Sequence, residues 1–356
     1  MPWPLASLSL KVVGYTVMSI EIGRPGGSHV RSVLSVVTRT GVRYRQSLVS
    51  VAVLVVVCGI FGVLAPHFLS IGNAKIILIE AAPLMIVAFP ATLLMIARGF
   101  DLSTGSVQAL SGVTAGVLCA SHGVPLYIAF GAAILVGGVV GMINAVVIED
   151  FHVNPMIATL GTDFAVVGAA YLVAPEAIIV GLPNGWSGIG SSAVIGIPVP
   201  VFISAAVYVV FMIVLNFTGF GSRVYAIGGN EVAASLAGIN VKRTMRWLFV
   251  WTGLCAGLSG VVLASRLGNA DPTVGTTFAL QVIAAVILGG TSFAGGEGRL
   301  TGTIMGCLVL TTLSDGLNLM SMPGFWQYVA TGGLLIGAVM VDSAVRRRLA
   351  TLVRLR

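Results

Sequence analysis

The chain has 356 residues, of which 57% are hydrophobic and only 9% charged, and its mean hydropathy is +1.03. A soluble domain carries roughly 25% charged residues, so the composition excludes a water-soluble protein and demands an integral membrane protein with many helices. The formal net charge of +7 does not signal nucleic acid, because the basic residues are scattered among apolar spans.

Residues 1–46 have a weak pattern. They carry Lys11, Arg24, Arg31, Arg39, Arg43 and Arg45, interrupted by Gly23, Pro25, Gly26 and Gly27. A basic start followed by a clean apolar core and a small-residue cleavage site is missing, so the segment does not read as a signal peptide. It is expected to be a weakly structured cytoplasmic extension.

From Ser47 onward the hydropathy predicts about ten spans, each near the roughly 20 residues that a bilayer requires. They centre on 48–65, 76–97, 104–121, 124–147, 154–174, 198–216, 247–265, 276–294, 300–321 and 325–342. With the N-terminus inside, only Lys75 and Arg266 of the 19 Lys and Arg fall in outside loops, which leaves 17 on the cytoplasmic side. The expected fold is therefore all-α: a polytopic membrane protein of about ten transmembrane helices with both termini cytoplasmic. Its domains are the extension 1–46, a transmembrane domain 47–345 with a cytoplasmic loop 217–246, and a basic tail 346–356.

Glycines at four-residue spacing let helix backbones approach closely. Such pairs occur at Gly112/Gly116, Gly137/Gly141, Gly253/Gly257, Gly302/Gly306 and Gly333/Gly337, and they predict a tightly packed bundle. Cys58, Cys119, Cys255 and Cys307 lie in apolar segments without metal-ligand spacing and read as small packing residues. His29, His67, His122 and His152 do not cluster, so no metal site is expected. No nucleophilic constellation and no H-E-x-x-H is present, so no catalytic residues are expected either.

Three stretches are chemically distinctive. In ARGFDLSTGS, Ala97 to Ser106, the residues Asp101, Ser103 and Thr104 can cap the third span while Gly99 and Gly105 permit a reversal. The stretch reads either as a tight helix–helix turn or as the inner end of a translocation path. In VNPMIATLGTD, Val153 to Asp163, Pro155 suits a helix start, and Thr159, Thr162 and Asp163 put hydroxyls and a carboxylate into one span. AVILGGTSFAGGEGR, Ala285 to Arg299, lacks the Gly-Lys-Ser/Thr ending of a phosphate loop and reads as a glycine-bent end of the eighth span. Charges inside a membrane are costly, so Glu80, Asp163 and Asp315 (with Asn318 nearby) are each either a hydrogen-bonded packing group or a substrate contact.

The polar island YAIGGNEVAASLAGINVKRTMR, Tyr225 to Arg246, organises the rest. Asn230 can cap a short helix, Glu231 sits at the positive end of its dipole, and Gly238 suits a left-handed C-terminal cap. Two turns are too short to persist alone, so the helix must be packed, and Val232 and Leu236 offer one apolar face. Lys242, Arg243 and Arg246 mark the island as cytoplasmic. Such a helix needs a cytoplasmic partner.

From Ser47 to Asp342 the chain resembles the permease subunit of ribose/xylose/arabinose-type sugar ATP-binding cassette importers, within the branched-chain amino acid/sugar permease superfamily. The resemblance is carried by GFDLSTGS at 99–106, NPMIATLGT at 154–162, YAIGGNEVAASLAGINV at 225–241, VILGGTSFAGGEGR at 286–299 and DGLNLM at 315–320. It implies that Gly228, Gly229, Asn230, Glu231, Val232, Ala234, Leu236 and Gly238 form the coupling helix that seats in a groove of a separate ATPase. It also implies a second permease subunit and a periplasmic sugar-binding protein as partners, with ATP and magnesium held by the ATPase and no cofactor in this chain. Asp101, Ser103, Thr159, Thr162, Asp163, Asp315 and Asn318 are the candidate substrate-pathway residues. The competing expectation is an ion-coupled secondary transporter using Glu80, Asp163 or Asp315, which would not need the capped cytoplasmic helix.

Overall fold

The computed structural model describes residues 7–12, 15–21, 50–174 and 178–354. The chain divides into two compact units, Met1–Gln46 and Ser47–Arg356. In the first, β1 (Ser7–Val12) and β2 (Tyr15–Glu21) pair antiparallel, with Ser7 opposite Glu21. The polar–apolar alternation of SLSLKV has the period of two that belongs to a strand. The remainder of residues 1–46 lies outside the described residues.

The second unit is a helix bundle. Its apolar helices are α1 (Ser50–Leu64), α2 (Ile71–Ile96), α3 (Thr104–Ala120), α4 (Leu126–Glu149) and α5 (Pro155–Val173). A four-residue helix α6 (Gly188–Ser191) and a small hairpin of β3 (Ala193–Val194) and β4 (Ile197–Pro198) lead into α7 (Val199–Phe217). Two short helices follow, α8 (Gly219–Gly229) and α9 (Glu231–Leu236). The bundle closes with α10 (Val241–Leu267), α11 (Phe278–Leu288), α12 (Leu300–Leu319) and α13 (Phe325–Arg354).

Every span predicted from hydropathy overlaps one of these apolar helices. Six of them, α2, α4, α5, α7, α10 and α12, are long and apolar enough to cross a membrane, so the chain is a polytopic, mainly helical membrane protein. The helices α1, α3 and α11 are shorter, as is the apolar part of α13, Phe325–Met340. The eighth predicted span shrinks most, because α11 has only 11 residues and stops at Gly289. Gly290 then turns the chain with φ of +85°, as the bent glycine-rich end requires.

Helices α2 and α10 form the centre: 72% of the most apolar stretch of each is buried, against 22% for α5 and α7. Close approach explains the glycines. A Cβ on Gly137 would lie 2.3 Å from the Gly253 carbonyl oxygen, so α4 and α10 meet backbone to backbone. Gly112 faces Gly260, Gly302 faces Gly289 and Gly306 faces Ala285 in the same manner. Gly333 and Gly337 break the expectation, since no atom lies within 4 Å of a Cβ placed on either. Their spacing is right, but at these two positions α13 meets no neighbour among the described residues. Cys119, Cys255 and Cys307 are buried and unpaired, in keeping with packing roles, and Cys58 is half-buried.

A capped short helix and a buried carboxylate network

The polar island folds locally as its residues dictate. Asn230 is extended and its side chain accepts from the Ala233 amide at 3.0 Å, closing the first turn of α9. At the other end Gly238 takes φ of +82°, and the Ile239 amide reaches the Ala234 carbonyl at 3.0 Å. This pairing of a left-handed glycine with a bond back to the last turn satisfies carbonyls that the helix leaves open. Ala234 is buried beneath α9, whereas Val232 is 69% and Leu236 86% exposed. One correction concerns length: Tyr225 to Gly229 form the end of α8 and not a loop. A second places Lys242, Arg243 and Arg246 in the first turns of α10, which begins six residues before the predicted span. The buried Thr244, Met245, Leu248 and Phe249 pull that stretch into the bundle. Arg246 binds both Asp150 oxygens, at 2.5 and 2.7 Å, and so ties α10 to the end of α4.

The candidate pathway residues fall into two groups. Asp101 sits before α3, and its Oδ1 accepts from the Ser103 amide at 2.9 Å and from the Ser103 hydroxyl at 2.6 Å. Asn144 of α4 donates to Ser103 Oγ at 2.9 Å, and Thr159 of α5 accepts from the Leu102 amide at 3.1 Å. Asp101, Ser103, Asn144 and Thr159 are all buried. The network pins the turn between α2 and α3 against α4 and α5, which is the tight-turn arrangement. Thr104 Oγ1 and Asn144 Oδ1 remain without a partner among the described residues, so the cluster keeps open hydrogen-bonding capacity. Thr162 and Asp163 are half-buried on α5, in the turn following Thr159.

Asp315 and Asn318 lie elsewhere. Asp315 is buried in α12 and its Oδ2 accepts from the side-chain Nδ2 of Asn73, at the start of α2, at 2.7 Å. Asp101 lies beyond the other end of α2, and 1.5 Å per residue over that helix separates the two groups by roughly 35 Å. Asn318 is exposed and accepts from Gln327 at 2.6 Å. A single continuous site holding all the candidate residues is therefore excluded in this conformation. Glu80, too, has a partner: Arg266 of α10, at 3.0 Å.

Sequence reasoning passed over Gln108 and Asn144, although an amide in an apolar helix is itself a signal of interhelical bonding. Gln108 donates to Ser259 Oγ at 2.7 Å, and Ser259 donates to the Pro83 carbonyl at 2.9 Å, linking α3, α10 and α2 at mid-bundle. Gln108 also lines a narrow cavity with Gly112, Asn269 and Asp271. Arg98 counts in the sequence only as one of the 17 basic residues assigned to the cytoplasmic side, yet its side chain donates to the Gly228 and Gly229 carbonyls at the end of α8.

The family model for the permease component of branched-chain amino acid transport systems matches residues 73–341. The chain belongs to this permease family. It is 34% identical over 296 residues to the D-allose transport system permease protein AlsC of Escherichia coli (strain K12), covering 83% of this chain and 91% of that protein. It is 38% identical over 286 residues to the ribose import permease protein RbsC of Bacillus subtilis (strain 168), covering 80% and 88% respectively. The L-arabinose ABC transporter permease protein AraH of Azospirillum brasilense is 34% identical over 299 residues, covering 84% and 88%. No solved structure matches the chain. This permease is accordingly a transport subunit and not an enzyme, and the residues between α2 and α3 and those of α9 belong to a transporter.

Proposed function

We propose that this permease carries a sugar or sugar-like solute through a bacterial inner membrane by alternating access. The relatives named for ribose, D-allose and L-arabinose support the solute class. In this reading a periplasmic binding protein delivers the solute, and a separate ATPase binds ATP and magnesium. Two permease subunits form the assembly. Each has about ten spans and both termini inside, as the division of 17 basic residues against 2 supports. Residues 1–46 are a cytoplasmic extension and 346–356 a basic tail. Asp101, Ser103, Thr159, Thr162 and Asp163 border the inner end of the path, and Asp315 with Asn318 lies toward the outer end.

The observation that carries the reading is α9. It is capped at both ends, fastened by Ala234, and still turns Val232 and Leu236 outward. Exposed apolar groups on a short, rigid, polar-flanked helix fit a groove on a soluble partner. ATP binding closes the ATPase subunits, and α9 passes their displacement to the bundle. The test is Leu236→Arg in the complex reconstituted with the ATPase and binding protein. Solute-stimulated ATP hydrolysis should fall to its basal level while the permease stays in the membrane. Full stimulation in this variant and in Glu231→Arg would refute α9 as the docking helix.

A further inference from the structure

Three separate segments meet behind α9. The first is Arg98, just past α2, with φ of +68°. Its Nε donates to the Gly228 carbonyl at 2.8 Å and an Nη donates to the Gly229 carbonyl at 3.0 Å. These are the last two residues of α8, whose carbonyls have no partner within the helix. Asn230, the cap of α9, is the next residue. The third segment is the glycine-rich 289–299 stretch. Its Gly296 amide donates to the Ile96 carbonyl at 2.8 Å, and Tyr225 of α8 donates its hydroxyl to the Gly298 carbonyl at 2.8 Å.

At Gly228 the junction is closed by direct backbone contact. A Cβ on Gly228 would lie 1.8 Å from the Ile96 oxygen and 2.6 Å from the Gly296 nitrogen. A Cβ on Gly295 would lie 2.3 Å from Cγ of Arg98. Direct backbone contact is stiff, because there are no rotamers to absorb a displacement. Charge-assisted bonds from a planar guanidinium are stronger and more directional than neutral ones.

Resting on the assignment of α9 as the coupling helix, we propose that Arg98 is a positioning residue for coupling. Its fork locks α8 and α9 to the end of α2 and to the 289–299 stretch, so that these move as one body when the ATPase moves α9. Helix α2 then acts as the lever. Its stretch from Asn73 to Ile96 spans roughly 35 Å, from the Asn73–Asp315 pair to this junction. Docking of the ATPase belongs to Val232 and Leu236, whereas transmission belongs to Arg98.

The experiment compares Arg98→Gln, Arg98→Lys and Tyr225→Phe with the wild type in proteoliposomes holding the full complex. The readout is solute moved per ATP hydrolysed, alongside co-purification of the ATPase. Arg98→Gln should keep the ATPase bound but lower the transport-to-hydrolysis ratio by about tenfold, the scale expected for losing a charge-assisted bond. Arg98→Lys, which keeps the cation but loses the planar fork, should recover only part of the ratio and fall between Arg98→Gln and the wild type. Tyr225→Phe should lower it about two- to threefold, through a neutral bond across the same junction. A purely structural role would lower membrane content and both activities together, leaving the ratio unchanged. If Arg98→Gln fails to insert, the other two variants decide. A wild-type ratio in every inserted variant overturns the proposal. Failure of the coupling-helix assignment itself would appear separately, as undiminished ATPase stimulation in Leu236→Arg.

Discussion

Arg266, in the last turn of α10, holds Glu80 of α2 at 3.0 Å, and both side chains are only about a quarter exposed. The pair explains how a carboxylate can be tolerated in an apolar helix: its charge is neutralised locally by a neighbouring helix. Glu80 therefore has a structural partner in this conformation. Glu80→Gln should retain ATP-driven uptake. Glu80→Ala should lower stability by about 1–2 kcal/mol, because Arg266 is left without its acceptor. Thermal unfolding of the detergent-purified protein measures the loss. Concentrative uptake that vanishes in Glu80→Gln would support an ion-coupled carrier instead.

The two buried aspartates make parallel predictions. Asp101 acts as an acceptor for Ser103 and Asp315 as an acceptor for Asn73, so an amide oxygen can replace either carboxylate oxygen. Asp101→Asn and Asp315→Asn should both transport with ATP, within about threefold of wild type, because the acceptor geometry survives. Asp101→Ala should be far worse, since it strips the turn between α2 and α3 of its organising acceptor. Uptake assays with and without an ionophore check this. Loss of uptake in Asp101→Asn would mean that its charge, and not its acceptor geometry, is needed.

Two glycine pairs of identical spacing should respond differently to the same change. Gly137→Ala drives a methyl group onto the Gly253 carbonyl oxygen and should cost about 2 kcal/mol or more, as overpacking does. Gly333→Ala and Gly337→Ala meet open space and should change the stability of the isolated subunit by less than about 0.5 kcal/mol. Melting temperatures of the purified variants test the contrast. Equal losses at Gly137 and Gly333 would contradict the packing described.

Single cysteines report the membrane orientation. Ile195 is 94% and Leu69 78% exposed, on loops assigned to the outside. Phe151 and Val232, 73% and 69% exposed, lie on segments assigned to the cytoplasm. An impermeant thiol reagent added to intact cells should label Ile195→Cys and Leu69→Cys but not Phe151→Cys or Val232→Cys. Labelling of Val232→Cys from outside would overturn the ten-span arrangement.

Local chemistry was legible in the residues alone. Apolar length located the helices, and the caps of α9 were visible because Asn230 and Gly238 act on their own neighbours. The polar–apolar alternation of β1 is equally local. Partnership was another matter. In helices that are apolar on every side, sequence periodicity cannot say which face meets which neighbour. The bond from Arg98 to Gly228 joins residues 130 positions apart, and that from Asn73 to Asp315 joins residues 242 apart. The same limit separates Gly137, pressed against α10, from Gly333, where an added Cβ would meet no atom within 4 Å among the described residues. Span counting alone already separates Asp101, at an inner span end, from Asp315, in the outer part of the ninth span. Only the packed bundle decided that Asp315 pairs with Asn73 and that Asn144 joins Ser103 beside Asp101, because those partners follow from how helices stack and not from any pattern within either segment.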